Sequence, residues 1–141
     1  MNMHRILTII FSMMLVTFAP TVSAELVVIA NPHASFNSLT QGQLRRIFLG
    51  QTNKFPNGEI AEPLDVRGND SNAFYEGMLN KSPSQIDSYW ANMIFSGKSS
   101  PPRQIRPEEV KQAVAKSSRA ISYMDRSLVD SSVKVISIIG E

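Results

Sequence analysis

A guanidinium and a hydroxyl four positions apart, Arg67 and Ser71, mark the stretch of this chain whose residue types point most directly to ligand chemistry. The run Arg67-Gly68-Asn69-Asp70-Ser71 follows a short apolar segment, Leu64-Asp65-Val66, and precedes Phe74, Met78 and Leu79 at helical spacing. A strand that turns into a helix there leaves the first-turn N–H groups without intrahelical partners, and the helix dipole adds positive potential at the same place. A Ser hydroxyl adds a donor, and an Arg at the strand end offers a planar fork suited to phosphate or carboxylate. Open α/β sheets place ligands at the carboxyl ends of their strands, where this loop would lie. A plainer use of the same residues is that Ser71 or Asp70 caps the helix while Arg67 is solvated. Asp70 favours that use, because a carboxylate beside an anion site opposes binding unless it accepts a proton from the ligand.

Other chemistries find little support. The chain has no cysteine, which excludes disulfides, thiolate nucleophiles and thiolate metal sites. Of its two histidines, His4 lies in the N-terminal segment discussed below, and His33 stands beside Pro32 after the first apolar run, with no partner in a triad pattern. No grouping of His and carboxylates has metal-ligand spacing, and Asp125 and Asp130 read as caps around a turn. Gly-rich phosphate cradles of the nucleotide-binding kind are missing. Arg45-Arg46 is the only basic doublet, too little for a nucleic-acid face, and Phe48 beside it is expected in the core. Neither an enzyme nor a nucleic-acid-binding protein is expected, and no cofactor.

The elements that must position Arg67 and Ser71 alternate in period. Leu26 to Ala30 is a continuous apolar run that reads as a buried strand, ended by Asn31-Pro32. Thr40 caps a short helix carrying Leu44, Ile47 and Phe48, with Gly50 as its stop. Residues 52–62, with Pro56-Asn57-Gly58, read as an exposed turn. Ser82-Pro83-Ser84-Gln85 combines a capping box with Pro at the first helical position. The helix it opens is expected to bury Ile86, Tyr89, Trp90, Met93 and Ile94 and to end at Gly97. Residues 98–106, with Pro101-Pro102, read as a solvated loop. It is also the expected partner-facing edge, since loops carry recognition more often than framework does. Pro107 opens a further helix with Val110 and Val114 inward, and residues 120–124 and 133–139 are the last strands. Strands alternating with helices predict an α/β fold with a central, mostly parallel sheet flanked by helices.

The N-terminal residues have a different character. Arg5, an apolar run from Ile6 to Phe18 and the small residues Val22-Ser23-Ala24 form the pattern of a secretory signal peptide over residues 1–24. The run is shorter than the roughly 20 residues a spanning helix needs. Cleavage after Ala24 leaves residues 25–141 as a single lobe, free in the periplasm without a membrane anchor. Removing Arg5 lowers the formal net charge of +2 by one unit, so no general field for nucleic acid or an anionic membrane remains.

Three segments carry a resemblance. Arg46-Ile47-Phe48-Leu49-Gly50-Gln51-Thr52 is similar to an "IFxGxxxxW" motif, with Phe55 where Trp is usual. Val66 to Phe74 resembles a "VxRxxxSGTxxxF" loop, and Ser118 to Met124 resembles a "GxIGYV" strand with Ser122 in place of a Gly. These motifs belong to the periplasmic phosphate-binding proteins, the solute receptors of phosphate ABC transporters, with the type II periplasmic-binding-protein fold. The resemblance covers most of residues 26–136 and implies anion contacts from Arg67 and Ser71. Asn72 and Ala73 replace the Gly and Thr that follow in the family, so one hydroxyl donor is lost. The family closes two lobes around its ligand, and this chain supplies one. Asp70 is the candidate substitute for the carboxylate that the other lobe would bring, which gives Arg67, Ser71, Asn72 and Asp70 as the candidate anion site. The expected function is a solute-binding component that holds phosphate or a similar small oxyanion weakly or with a partner. The alternative is a non-enzymatic envelope interaction module, serving a sensor kinase, a transport complex or a surface assembly, with a vestigial site. Self-association that rebuilds a cleft is a third possibility.

Overall fold

The computed structural model describes Thr17 and residues 25–139. The expected signal peptide therefore lies, apart from Thr17, outside the described residues. Strand β1 (Leu26–Ala30) is buried at all five positions, as its unbroken apolar run requires. It is followed by α1 (Gln41–Phe48), β2 (Glu62–Val66), α2 (Asn69–Leu79) and α3 (Pro83–Phe95). Then come β3 (Arg103–Ile105), a 3₁₀ turn at Pro107–Glu109, α4 (Val110–Lys116), β4 (Ala120–Asp125) and β5 (Lys134–Ile138).

The strands form one sheet in the order β3-β2-β4-β1-β5. The α/β class stands, and the sheet is mixed. β2 runs parallel to both β3 and β4, while β1 runs antiparallel to β4 and β5. Helical crossovers join β2 to β3 and β3 to β4, and such connections return the chain in the same direction. β5 instead follows β4 through a short turned segment and pairs on the far side of β1.

Two helices start where their capping residues require. The Thr40 Oγ1 accepts the Gln43 N–H at 3.1 Å while the Gln43 Oε1 accepts the Thr40 N–H at 2.9 Å. Ser82 and Gln85 repeat the arrangement at α3, at 3.3 and 2.8 Å. Helix α2 packs on β1, β2, α1 and α3. Its Phe74 stacks on Tyr123 of β4 with centroids 4.0 Å apart, and Phe48 of α1 meets Phe74 edge-on at 4.7 Å. Helix α4 packs on β1 and β4, and the buried Asn31 amide donates to its last carbonyls, Val114 O and Ala115 O, at 3.1 and 3.0 Å.

Several local expectations are corrected. Residues 98–106 are not all loop, since Arg103–Ile105 adds the edge strand β3 to β2. Phe55, within the supposedly exposed turn, is buried against Phe36 with centroids 4.6 Å apart. On α3, Ile86 and Trp90 are buried and Tyr89 is half-buried, its hydroxyl donating to Leu49 O at 2.6 Å. Met93 is only half-buried, and Ile94 is 57% exposed beside Phe95 at 96%. Beyond its first two turns helix α3 gives the core only the partly covered Met93, so the apolar stripe outruns the surface that covers it. Asp125 and Asp130 do act as turn caps, accepting the N–H groups of Ser127 and Ser132, each at 2.9 Å.

Candidate functional site

β2 ends at Val66, and Arg67 carries the chain out of the sheet, its N–H donating to Ile105 O of β3 at 2.9 Å. Gly68 then turns at φ +112°, a backbone region that disfavours any side chain. Gly68 is the N-cap of α2, and no side chain caps that helix. This corrects the expectation that Asp70 or Ser71 would do so. Both lie inside the first turn, and the Ser71 N–H donates to Gly68 O at 3.2 Å. The local reason is steric. The chain must reverse direction at once on leaving β2, and only the glycine tolerates the required dihedral, so the helix begins one residue after it.

An open cleft of about 590 Å³ lies over this turn. Arg67, Gly68, Ser71 and Asn72 line it from the strand end and first turn of α2. Ile86, Asp87, Trp90, Ala91 and Ile94 line it from α3, with Pro101 ahead of β3 and Gln104 within it. Three of the four residues singled out in the sequence, Arg67, Ser71 and Asn72, thus share one cavity. Asp70 does not line it. The Arg67 side chain is exposed, and its guanidinium makes no hydrogen bond or ion pair among the described residues. It lies near enough to Glu109 to add to the depression of that carboxyl, whose main cause is its hydrogen bond from Arg106.

The carboxylate in the cleft is Asp65, which reading the sequence for sites missed. It is 5% exposed and sits at the centre of a donor cluster. Its Oδ1 accepts from the Tyr123 hydroxyl, from the Val66 N–H at 3.0 Å and from the Ser71 hydroxyl at 3.2 Å. Its Oδ2 accepts from Gln104 Nε2 at 3.2 Å. Burial pushes the phenols of Tyr123 and Tyr75 far above their ordinary range, and the negative charge of Asp65 pushes the same way. Both therefore remain neutral donors. The signal for Asp65 was a charged residue between the buried Leu64 and Val66 of a strand, which must find partners if it is to enter the core.

Among the described residues no cluster of three metal-ligating side chains occurs. His33 is exposed, and nothing in the cleft supplies it as a base. Among the described residues the cleft offers one free cation, Arg67, the Asn72 amide, a carboxylate that already accepts the Ser71 hydroxyl, and an apolar wall.

No family model matches the chain, and no curated protein matches it. Solved structures do. An ABC-type phosphate transport receptor from Vibrio cholerae aligns with a TM-score of 0.62 at 18% identity, over 80% of this chain and 45% of the receptor. A putative phosphate ABC transporter substrate-binding protein with bound phosphate from Clostridium perfringens gives 0.63 at 16%, over 80% and 44%. PstS from Borrelia burgdorferi gives 0.62 at 12%, over 81% and 47%. The chain thus has the fold of one lobe of such receptors and spans less than half the length of each.

Proposed function

We propose that this chain is a solute-binding module that holds phosphate or a similar small oxyanion in the cleft at the mouth of β2. The observation that carries the reading is the convergence of Arg67, Ser71 and Asn72 on one cavity, over a helix start that no side chain caps. Arg67 supplies the charge, and the first turn of α2 supplies backbone N–H groups and the positive end of its dipole. Asn72 supplies an amide where the phosphate-binding proteins have a glycine. Asp70 takes no part from its place outside the cleft, and Asp65 assumes the role of the acceptor carboxylate. An oxyanion that carries a proton donates it to Asp65, whereas a bare anion faces that carboxylate without a hydrogen bond. Phosphate is therefore preferred over sulfate at neutral pH. Nothing in this reading calls for catalysis.

The neighbours named for phosphate support the choice of ligand, and their greater length sets the expected strength. A half-open cleft leaves the ligand in contact with water and the donor set incomplete. The dissociation constant is expected on the order of 1 mM, roughly 4 kcal/mol of binding. Residues 1–24 act as a cleaved signal peptide, residues 25–141 form the lobe, and the protein works in the periplasm. Calorimetry with phosphate tests the site. Arg67→Ala should weaken binding at least tenfold, about the value of one charge-assisted hydrogen bond. Equal binding by the variant, or no heat at tens of millimolar phosphate with either protein, rejects the reading.

A second reading has its own observation. Phe95 and Ile94 stand exposed together at the end of α3, beside the cleft, where an envelope partner or a second copy would cover them. If the lobe serves as an interaction module, a stoichiometric partner should be retained by Arg67→Ala and lost by Phe95→Ser.

A further inference from the structure

The cleft is far larger than an inorganic oxyanion requires. It measures about 590 Å³, whereas a tetrahedral anion displaces only a few waters. The volume falls in the range of cavities that take organic ligands. Its two ends also differ. Arg67, Ser71 and Asn72 gather at the start of α2, while the opposite wall is built from Ile86, Trp90, Ala91 and Ile94 of α3 with Pro101. The α3 side of that wall carries no cation or amide, and its one charged residue is Asp87, which repels a second anionic group; the Gln104 amide from β3 is given to Asp65. Ile94 is turned toward the cavity and remains 57% exposed, an apolar surface that a bound group would cover.

We infer that the occupant is a monosubstituted oxyanion, a phosphonate or phosphate monoester whose apolar substituent lies along α3 while its anionic head sits at Arg67 and Ser71. This rests on the oxyanion reading above and narrows it to a ligand class. A monoanionic head keeps the donors engaged and still carries one P–OH to donate to Asp65, which a dianionic head lacks. The alkyl or aryl group displaces water from Ile94, Ala91 and Pro101, which an inorganic anion leaves wet. Asp87 selects against substituents that end in a carboxylate.

Calorimetric titration of the purified protein with n-butylphosphonate and with inorganic phosphate tests the inference. Trp90, the sole tryptophan of the chain, lines the cleft, and its indole N–H resonance provides a local readout. n-Butylphosphonate should bind at least tenfold more tightly than phosphate and shift the Trp90 signal. Ile94→Ser should shrink that advantage severalfold, and Arg67→Ala should weaken n-butylphosphonate as it weakens phosphate. Equal affinities, or tighter binding of phosphate, would overturn the inference and leave the oxyanion reading standing. n-Butylphosphonate binding that ignores Arg67→Ala would also overturn it, as grease in a groove. Failure of both ligands to bind removes the inference together with the reading beneath it.

Discussion

Asp65 is a buried carboxylate whose donors come from three parts of the chain, which makes it the most exacting residue of the cleft. Tyr123→Phe removes one of those donors without changing shape, and should cost about 1–3 kcal/mol in a urea unfolding experiment. Asp65→Asn should reverse the ligand preference, since an amide can donate to a bare oxygen, and competition calorimetry should then show sulfate gaining on phosphate. Tyr75 and Tyr123 set a pH limit. Their folded-state values lie above the ordinary phenol value near 10 because of burial, and then because of Asp65. Their contribution is present in full below that value and is lost as pH rises beyond it, when the unfolded chain releases protons that the folded chain keeps. The melting temperature should therefore fall above about pH 10, with these two phenols titrating only on unfolding. At this scale Arg67 and Ser71 were legible from type and spacing. Asp65 was not, because its partners Tyr123 and Gln104 lie 58 and 39 positions away and only the sheet brings them to it.

Helix starts separate what local sequence controls from what the fold imposes. Ser82 and Gln85 cap α3 reciprocally, so Ser82→Ala should cost about 1 kcal/mol of stability. Ser71 caps nothing, and Ser71→Ala should leave helix α2 in place while removing a donor from Asp65. Along α3, Ile86→Ala should cost about 2–4 kcal/mol, whereas Ile94→Ser should stay within about 0.5 kcal/mol, as denaturant midpoints will show. The Thr40 cap, the Ser82 capping box and the apolar runs of β1, β4 and β5 were readable because their causes lie within a few residues. Strand β3 was hidden, since Arg103-Gln104-Ile105 behind two prolines has no strand pattern of its own. Its conformation is held by pairing with β2. Likewise, spacing alone placed Ile94 in the core, and only the extent of the neighbouring elements decides where the covered surface ends.

As a whole, the molecule is a lobe with a cleft on one side and an uncovered apolar edge beside it. The fold of such a lobe could be anticipated from alternating strands and helices, and the mixed sheet could not, because strand direction depends on connections rather than on composition. The receptors it resembles are about twice the length that aligns here, and the rim carrying Phe95 faces solvent in this chain. Association at that rim should show as a concentration-dependent sedimentation coefficient that Phe95→Ser abolishes.

The amide resonances of residues 68–72 give the most direct measurement, because they report the helix start and nothing else. On titration with phosphate they should shift together and saturate in the millimolar range, and the same titration of Arg67→Ala should leave them nearly still. Shifts that never saturate, that spread evenly over the surface, or that persist in the variant would contradict an oxyanion seat at the mouth of β2.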